Sequence, residues 1–246
     1  MSGRVGSITT DMIADGLVFN MDAANRASTI PSTSTTTTFN TIDLSQSGSI
    51  VTDGTWEGPT TASFAFDGTD GYINTNAQSL LSGVSKFSFS VWVNLNENNN
   101  NNIVWSIFND NSNRWFFQLW NGKLYFRYVT GGSGGYYDIS NGNGNWTNTA
   151  VVNEWGNVVM VFNGAESGND RIKVWFNGVA NTSGTYNSTP PSNLPTWSNN
   201  LLIAAYNTSN LYPVNGNIGP VHIYNRALSA SEVLFNYNGL KSRFGL

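Results

Sequence analysis

The chain has no cysteine and few charged residues. Charged side chains make up 11% of its 246 residues, against about 25% in typical globular domains. Because long surface helices are built from Glu, Lys, Arg and Ala, this scarcity argues against an all-helical fold. The absence of cysteine excludes a disulfide framework, so the fold must be held together by its core alone.

Clustered positive charge and long apolar runs are also missing. The 11 Lys and Arg are scattered and the formal net charge is −4, which argues against nucleic-acid binding. No stretch approaches the ~18 consecutive apolar residues of a membrane-spanning helix. The N-terminal segment lacks the apolar region of a signal peptide. We therefore expect a protein that is made in the cytoplasm without a signal peptide.

Aromatic residues, by contrast, are plentiful at 13%, and Asn, Gly, Ser and Thr are abundant. This composition favours β-strands joined by many Asn/Gly turns. The length suits one all-β sandwich of roughly 200–250 residues, so we expect a single domain over 1–246 with an N-terminal arm over 1–14. Ser229 and Glu232 form a capping-box pattern, which predicts a short closing helix over 229–238 that ends at Asn238-Gly239.

The clearest local prediction is a β-hairpin around Asn121-Gly122, the preferred pair for a type I′ turn. A two-residue loop pairs Trp120 with Lys123 and Leu119 with Leu124, and the same pairing continues along both strands away from the turn. Alternate side chains then point to opposite faces. The predicted core face consists of Trp115, Phe117, Leu119, Leu124, Phe126 and Tyr128.

Other segments also show strand patterns. Alternation over 87–95 and 171–176 predicts strands whose outer faces carry Trp92 and Trp175. Two segments rich in small polar residues, 28–41 and 131–148, are predicted to be surface loops.

Six segments together resemble laminin-G-like, concanavalin A-like jelly-roll domains, which occur as adhesive modules in secreted bacterial proteins and in tailed-phage virion proteins. The resemblance implies an all-β, two-sheet antiparallel sandwich with one short C-terminal helix. The matching segments are GLVFNMDA (16–23), FDGTDGYI (66–73), FSFSVWV (87–93), EWGNVVMVFNG (154–164), RIKVWFNGV (171–179) and GNIGPVHIYNRALSASEV (216–233).

This resemblance implies a non-catalytic surface protein of a tailed-phage virion, either a capsid decoration or a fibre-associated adhesion module. Its partners would be other virion proteins, a second copy of the chain, or glycans on the host surface. A stand-alone carbohydrate-binding lectin is the alternative, and a glycan-active hydrolase is a third hypothesis, because one fold carries many functions.

Catalysis is not supported by the carboxylates or the histidine. Glycan hydrolysis normally requires two carboxylates across the scissile bond, and the resemblance implies a Glu-x-Asp-x-Glu run that this sequence lacks. Asp67 and Asp70 lie in a Gly-rich segment where aspartate favours turn geometry. His222, the only histidine, lies in a strand pattern and is expected to be structural.

No cofactor is required by the sequence. The resemblance implies a possible structural Ca²⁺ at the sandwich rim, for which Asp22 and Asp67 are weak candidates. The chain has Gly219-Pro220 where many relatives carry an acidic pair. Because Ca²⁺ prefers six or more oxygen ligands, such a depleted site would be weak. Turn hydrogen bonding is the favoured role of both aspartates.

The predicted binding site is the second face of the hairpin together with aromatic residues of the 131–148 loop. Rings stack on the apolar faces of sugars while amides and charged groups bond their hydroxyls. A contact between subunits or sheets is an equal alternative, because interfaces favour the same residue types. The candidate residues are Phe116, Gln118, Trp120, Lys123, Tyr125, Arg127, Tyr136, Tyr137 and Trp146.

Overall fold

The computed structural model describes residues 12–29, 36–51, 55–57, 63–97, 101–120, 123–138, 151–182, 184–209 and 212–246. Within these ranges the chain forms an all-β sandwich with one C-terminal α-helix. Four short 3-10 helices span Leu44–Gln46, Gln78–Leu81, Gly168–Arg171 and Lys241–Phe244. The strands are β1 (Leu17–Met21), β2 (Thr37–Thr38), β3 (Gly48–Val51), β4 (Thr55–Glu57), β5 (Ser63–Asp67), β6 (Tyr72–Thr75), β7 (Lys86–Leu95), β8 (Asn102–Asp110), β9 (Asn113–Trp120), β10 (Lys123–Thr130), β11 (Ser133–Asp138), β12 (Gly156–Asn163), β13 (Ile172–Phe176), β14 (Val179–Ala180), β15 (Thr185–Tyr186), β16 (Leu201–Ile203) and β17 (Asn215–Tyr224).

Two antiparallel sheets form the sandwich. The eight-stranded sheet has the order β14-β13-β12-β7-β17-β5-β4, with β1 paired to β17. The nine-stranded sheet has the order β15-β11-β10-β9-β8-β16-β6-β3-β2. The predicted two-sheet antiparallel fold is therefore confirmed. The inner faces of both sheets meet in one cluster of buried apolar side chains, in which the rings of Phe89 and Trp105 stack at 4.4 Å.

The outer face of the eight-stranded sheet is covered by the C-terminus. Helix α1 (Ala230–Leu240) and the following 3-10 helix lie on it, so that the ring of Trp92 on β7 stacks on Phe244 at 4.2 Å. Trp175 on β13 is buried with Leu228 and Val233. Both tryptophans lie on the predicted outer faces but are not exposed. We call this surface the helix-covered face.

A bulge in β17 permits this packing. The register of β17 against β7 shifts between Ile218 and Val221, at Gly219-Pro220, which is the kind of position where a strand tolerates proline. A Cβ added to Gly219 would lie 2.9 Å from the Cβ of Trp92. Glycine therefore leaves the space into which the Trp92 side chain packs.

The capping box is present at the start of α1. The Ser229 hydroxyl accepts a hydrogen bond from the backbone N–H of Glu232, and the Glu232 carboxylate accepts one from the backbone N–H of Ser229. Arg226 donates to both carboxylate oxygens of Glu232, at 2.7 and 3.0 Å. The predicted end of the helix was wrong: α1 continues through Gly239 to Leu240.

One further sequence expectation needs correction. The 28–41 segment is not simply a surface loop, because Ser28 and Thr29 are fully buried and Thr37–Thr38 pairs with β3. At the end of the expected N-terminal arm, the backbone N–H of Ile13 donates to Asn236 of α1. Residues 1–11 lie outside the described part of the chain. None of the described helices is long and apolar enough to cross a membrane.

Candidate functional site

The β9–β10 hairpin has the predicted register. Trp120 pairs with Lys123, Gln118 with Tyr125, and Phe116 with Arg127. The turn at Asn121-Gly122 lies outside the described residues. The side chains predicted to point inward are all buried in the main core: Trp115, Phe117, Leu119, Leu124, Phe126 and Tyr128.

The opposite side of this hairpin and of β11 forms the candidate site. Alternation places every second residue there, and β11 extends the surface by pairing with β10. We call this surface the aromatic face. Its residues are Arg114, Phe116, Gln118, Trp120, Lys123, Tyr125, Arg127 and Tyr136.

Three of the predicted residues on the hairpin face are buried. Phe116, Gln118 and Tyr125 are only 7%, 5% and 8% exposed, whereas Trp120 is 38% exposed. Tyr206, from the loop after β16, covers Phe116 with a ring contact at 4.9 Å. Part of the predicted binding site is therefore buried, and Trp120 is the main exposed ring of the aromatic face.

Arg127 is the centre of the aromatic face. Its guanidinium lies 5.3 Å from the ring centre of Trp120, 5.5 Å from that of Tyr125 and 5.4 Å from that of Tyr136. Such cation–π contacts stabilise a partly buried cation. The Nε atom of Arg127 is buried with no hydrogen-bond partner, and burial lowers the pKa of its guanidinium below the usual value.

Arg114 is the second cation on this surface. It donates to the Asn111 side chain at 2.9 Å and to the Tyr206 hydroxyl at 3.0 Å, and it is likewise without a carboxylate partner in the described part of the chain. Burial is the main cause that raises the pKa of Tyr206, so its hydroxyl stays protonated. Arg114 therefore holds Tyr206 in place over Phe116.

A depression of about 410 Å³ opens beside these residues. Its volume is within the ~300–1,000 Å³ of ordinary small-molecule sites. We call it the arginine depression. Its described lining contains no Asp or Glu and consists of Asn101, Ile103, Asn111, Arg114, Phe116, Gln118, Trp120, Arg127, Tyr206 and Tyr212.

A second depression, of about 470 Å³, lies on the other side of Tyr206. Amides dominate its wall: Asn200 donates to Asn74, and Asn199 donates to the backbone oxygen of Phe108. We call it the asparagine depression. Its lining also lacks Asp and Glu among the described residues, and consists of Asn74, Phe108, Ser198, Asn199, Asn200, Leu202, Tyr206, Asn207, Thr208 and Ser209.

The predicted 131–148 loop contains strand β11, which divides its two tyrosines. Tyr136 points to the aromatic face, where its ring meets Tyr125 at 5.4 Å. Tyr137 points the other way, is 2% exposed and stacks on Tyr186 at 4.4 Å. Tyr137 is therefore a core residue, and its prediction as a surface residue was wrong. Trp146 lies outside the described residues.

Lys123 lies at the edge of the aromatic face. Its Nζ atom is 3.7 Å from a carboxylate oxygen of Asp138, the residue that opposes Tyr125 on β11. Lys123 does not belong to the described lining of the arginine depression. Its charge is therefore directed toward Asp138 and not toward the depression.

The two weak calcium candidates have protein partners. Both carboxylate oxygens of Asp22 accept hydrogen bonds from Arg243, each at 2.8 Å. Asp67 accepts from the backbone N–H of Thr69 at 2.7 Å, as expected of a turn residue. No group of three or more potential metal ligands occurs among the described residues.

His222 is buried in the eight-stranded sheet, at 3% exposure. Burial lowers its pKa to about 4, an effect that Asp22 opposes and Arg243 reinforces. The imidazole is therefore neutral at physiological pH. It lies on the sheet opposite to the aromatic face, which agrees with the structural role predicted for it.

Three residues and one depression of the site were not predicted from the sequence. Arg114 shares its parity with Phe116, so the alternation already carried the signal that placed it on the aromatic face. Tyr206 and Tyr212 carried no such signal, because they lie between strands where no periodicity specifies direction. The asparagine depression also had no signal in the sequence, because it forms from segments that are distant in sequence.

Comparison with solved structures shows that the fold is shared with the binding domains of botulinum neurotoxins. The serotype D binding domain matches with a TM-score of 0.63 at 13% identity, over 92% of this chain and 52% of that one. The binding domain of botulinum neurotoxin DC in complex with SialylT gives 0.62 at 14% identity, over 92% and 52%. A third structure is described by the statement that cell entry of botulinum neurotoxin type C depends on interaction with two ganglioside molecules. It gives a TM-score of 0.60 at 15% identity, over 92% of this chain and 51% of that one.

This chain thus spans about half the length of the solved structures that it matches, and at these identities the likeness shows the fold alone. A search of the curated proteins found no match. A family model does match, over residues 67–234, which is more than half of the chain. The chain therefore belongs to the concanavalin A-like lectin/glucanases superfamily.

Proposed function

We propose that this chain is a non-enzymatic glycan-binding module and that the aromatic face, with its two depressions, is the binding site. The observation that carries the proposal is Trp120, an exposed ring beside a depression that offers amide and guanidinium donors. Sugar rings pack their apolar faces on such side chains while their hydroxyls need directional partners.

The distribution of carboxylates supports binding without hydrolysis. Glycan hydrolysis normally uses two carboxylates that flank the scissile bond. Neither depression has a carboxylate in its described lining, and Asp67 is held in a turn. One solved structure with this fold is described as a binding domain in complex with SialylT. Another is described by a cell entry that depends on interaction with two ganglioside molecules. Both descriptions are consistent with a glycan ligand here.

An oligosaccharide array, probed with the wild type and with Trp120→Ala, tests the proposal. Phe235→Ala is the matched control, because Phe235 is 46% exposed on α1, on the other side of the sandwich. We expect Trp120→Ala to lose the bound glycans and Phe235→Ala to keep them. EDTA should leave binding unchanged, because Asp22 and Asp67 are occupied by protein partners. Release of reducing ends from a bound glycan would contradict the non-enzymatic role.

A contact between two copies of the chain remains the competing explanation of the aromatic face. If the face is a subunit interface, the wild type should elute as a dimer in size-exclusion chromatography and Trp120→Ala as a monomer. A monomeric wild type that binds glycans would exclude this explanation.

We further propose that the module is displayed on the surface of a tailed-phage virion, where its partners are other virion proteins and host glycans. The support is the six-segment resemblance to laminin-G-like modules of such virions. Mass spectrometry of purified particles from an infected host tests this proposal. The chain should be present in stoichiometric amounts, and its absence from washed particles would contradict the virion role.

A further inference from the structure

The arginine depression contains two cations and, among the described residues, no group to balance them. Within the part of the chain that the structure describes, Arg127 contacts the rings of the aromatic face, and Arg114 donates to neutral oxygens. A charge that leaves water without an ionic partner costs free energy. Sites that bear such a cost are candidates for function.

Sheet geometry brings the two arginines together. Arg127 lies opposite Phe116, and Arg114 lies opposite Val129 on the same pair of strands. The two are therefore diagonal neighbours on one face, a relation that places residues roughly 7–8 Å apart. Both line the same depression, so a single small anionic group placed there would face both guanidinium groups.

The nearby carboxylates are engaged elsewhere. Asp138 pairs with Lys123. Asp110, at the end of β8, accepts from the backbone N–H groups of Ser112 and Asn113. The charge of the depression is thus positive even though the chain as a whole carries −4.

We propose that the glycan bound by this module carries a carboxylate, and that Arg127 and Arg114 bind this carboxylate in the arginine depression. A planar carboxylate matches the donor geometry of a guanidinium group. Trp120 stacks on the ring of the same sugar, and Gln118 and Asn111 provide hydrogen bonds to its hydroxyls. This inference rests on the proposed glycan-binding function and specifies its ligand class.

Two sugar classes supply such a carboxylate: sialic acids and uronic acids. Titration calorimetry with 3′-sialyllactose against lactose, and with a glucuronic acid-terminated disaccharide against its glucose analogue, distinguishes them. We expect one acidic sugar to bind at least about tenfold more tightly than its neutral analogue, as a charge-assisted contact predicts. Its affinity should also fall as salt rises.

Charge-removing variants locate the effect. Arg127→Gln should weaken binding of the acidic ligand at least about tenfold more than it weakens binding of the neutral analogue. Lys173→Gln, which removes an exposed cation from β13 in the other sheet, is the matched control and should change neither affinity. Arg114→Gln provides a second variant, and thermal melts show which variants fold.

The outcomes separate this inference from the function on which it rests. Equal affinity for acidic and neutral sugars, unchanged in Arg127→Gln and Arg114→Gln, would overturn the carboxylate assignment but keep the glycan-binding proposal. Preference for sulfated over carboxylated sugars would also overturn it. Failure of every sugar to bind would contradict the proposed function itself.

Discussion

The outer faces of the two sheets contain similar residues but differ in what lies on them. The helix-covered face carries Trp92 and Trp175, both buried under the C-terminus of the same chain. The aromatic face carries Trp120, which is 38% exposed beside a depression. An outward-pointing tryptophan is thus part of a second core on one sheet and a candidate ligand platform on the other.

The titratable groups differ in the same way. The helix-covered side buries His222, whose low pKa keeps it neutral, and neutralises Asp22 with Arg243. The aromatic face instead retains Arg127 and Arg114 without a carboxylate partner among the described residues. Asp22 and Arg243 thus neutralise each other within the chain, whereas Arg127 and Arg114 are the groups that we propose to bind a ligand.

The largest expected effect is the loss of Trp92. Trp92→Ala should lower the free energy of unfolding by about 3–5 kcal/mol, because it removes a fully buried ring that stacks on Phe244 and leaves a cavity. Chemical denaturation measures the change. A loss below ~1 kcal/mol would show that the C-terminus does not pack on this sheet as described.

Trp120→Ala should show the opposite pattern. We expect a loss of glycan-binding free energy of about 2 kcal/mol or more, as for a central aromatic at a binding site, with a much smaller change in unfolding free energy than Trp92→Ala gives. Calorimetric titration beside a denaturation curve measures both. A large loss of stability with unchanged glycan affinity would show that Trp120, like Trp92, is a core residue and not a binding residue.

Ser229→Ala tests how firmly the covering helix is held. The substitution removes an N-cap and should cost about 1 kcal/mol of stability, with no change in glycan affinity, because the cap lies on the helix-covered side. Thermal melts and a binding titration measure the two effects. A melt that coincides with that of the wild type would show that the capping box contributes nothing.

His222→Gln should have the smallest effect on the free energy of unfolding at neutral pH. Its main consequence should be a change in how this free energy depends on pH. The pKa of His222 falls from 6.5 in the unfolded chain to about 4 in the fold, so the unfolded chain binds the proton first. Wild-type stability should therefore fall as pH falls from 6.5 toward 4, then level off with respect to this group. The variant should lack this decline in denaturation curves, and an unchanged slope would contradict the burial of a neutral imidazole.

Local periodicity predicted much of this molecule. The register of the hairpin and the side of every residue on it followed from Asn121-Gly122 and the strict alternation around it, and the cap at Ser229 followed from a four-residue pattern. These features depend on neighbours in sequence. The alternation along a strand, however, predicts only the side of the sheet on which a ring lies. It does not predict whether another element covers that ring.

The features that could not be predicted depend on distant contacts. Trp92 is buried because Phe244 lies on it, and Phe116 because Tyr206 does. The tertiary packing of α1 also carries the helix through Gly239, although glycine commonly ends a helix. Tyr137 was misplaced because its segment, rich in glycine and asparagine, gave no sign that β11 would pair with β10.

We propose that the ligand binds to the aromatic face and not to the helix-covered face. The most direct test of this proposal is 19F NMR of the protein labelled with 5-fluorotryptophan, titrated with the tightest-binding sugar found among the acidic and neutral probes. We expect the resonance of Trp120, assigned from the Trp120→Ala spectrum, to shift on titration while those of Trp92 and Trp175 do not. A shift of Trp92 or Trp175 with Trp120 unchanged would contradict the proposal.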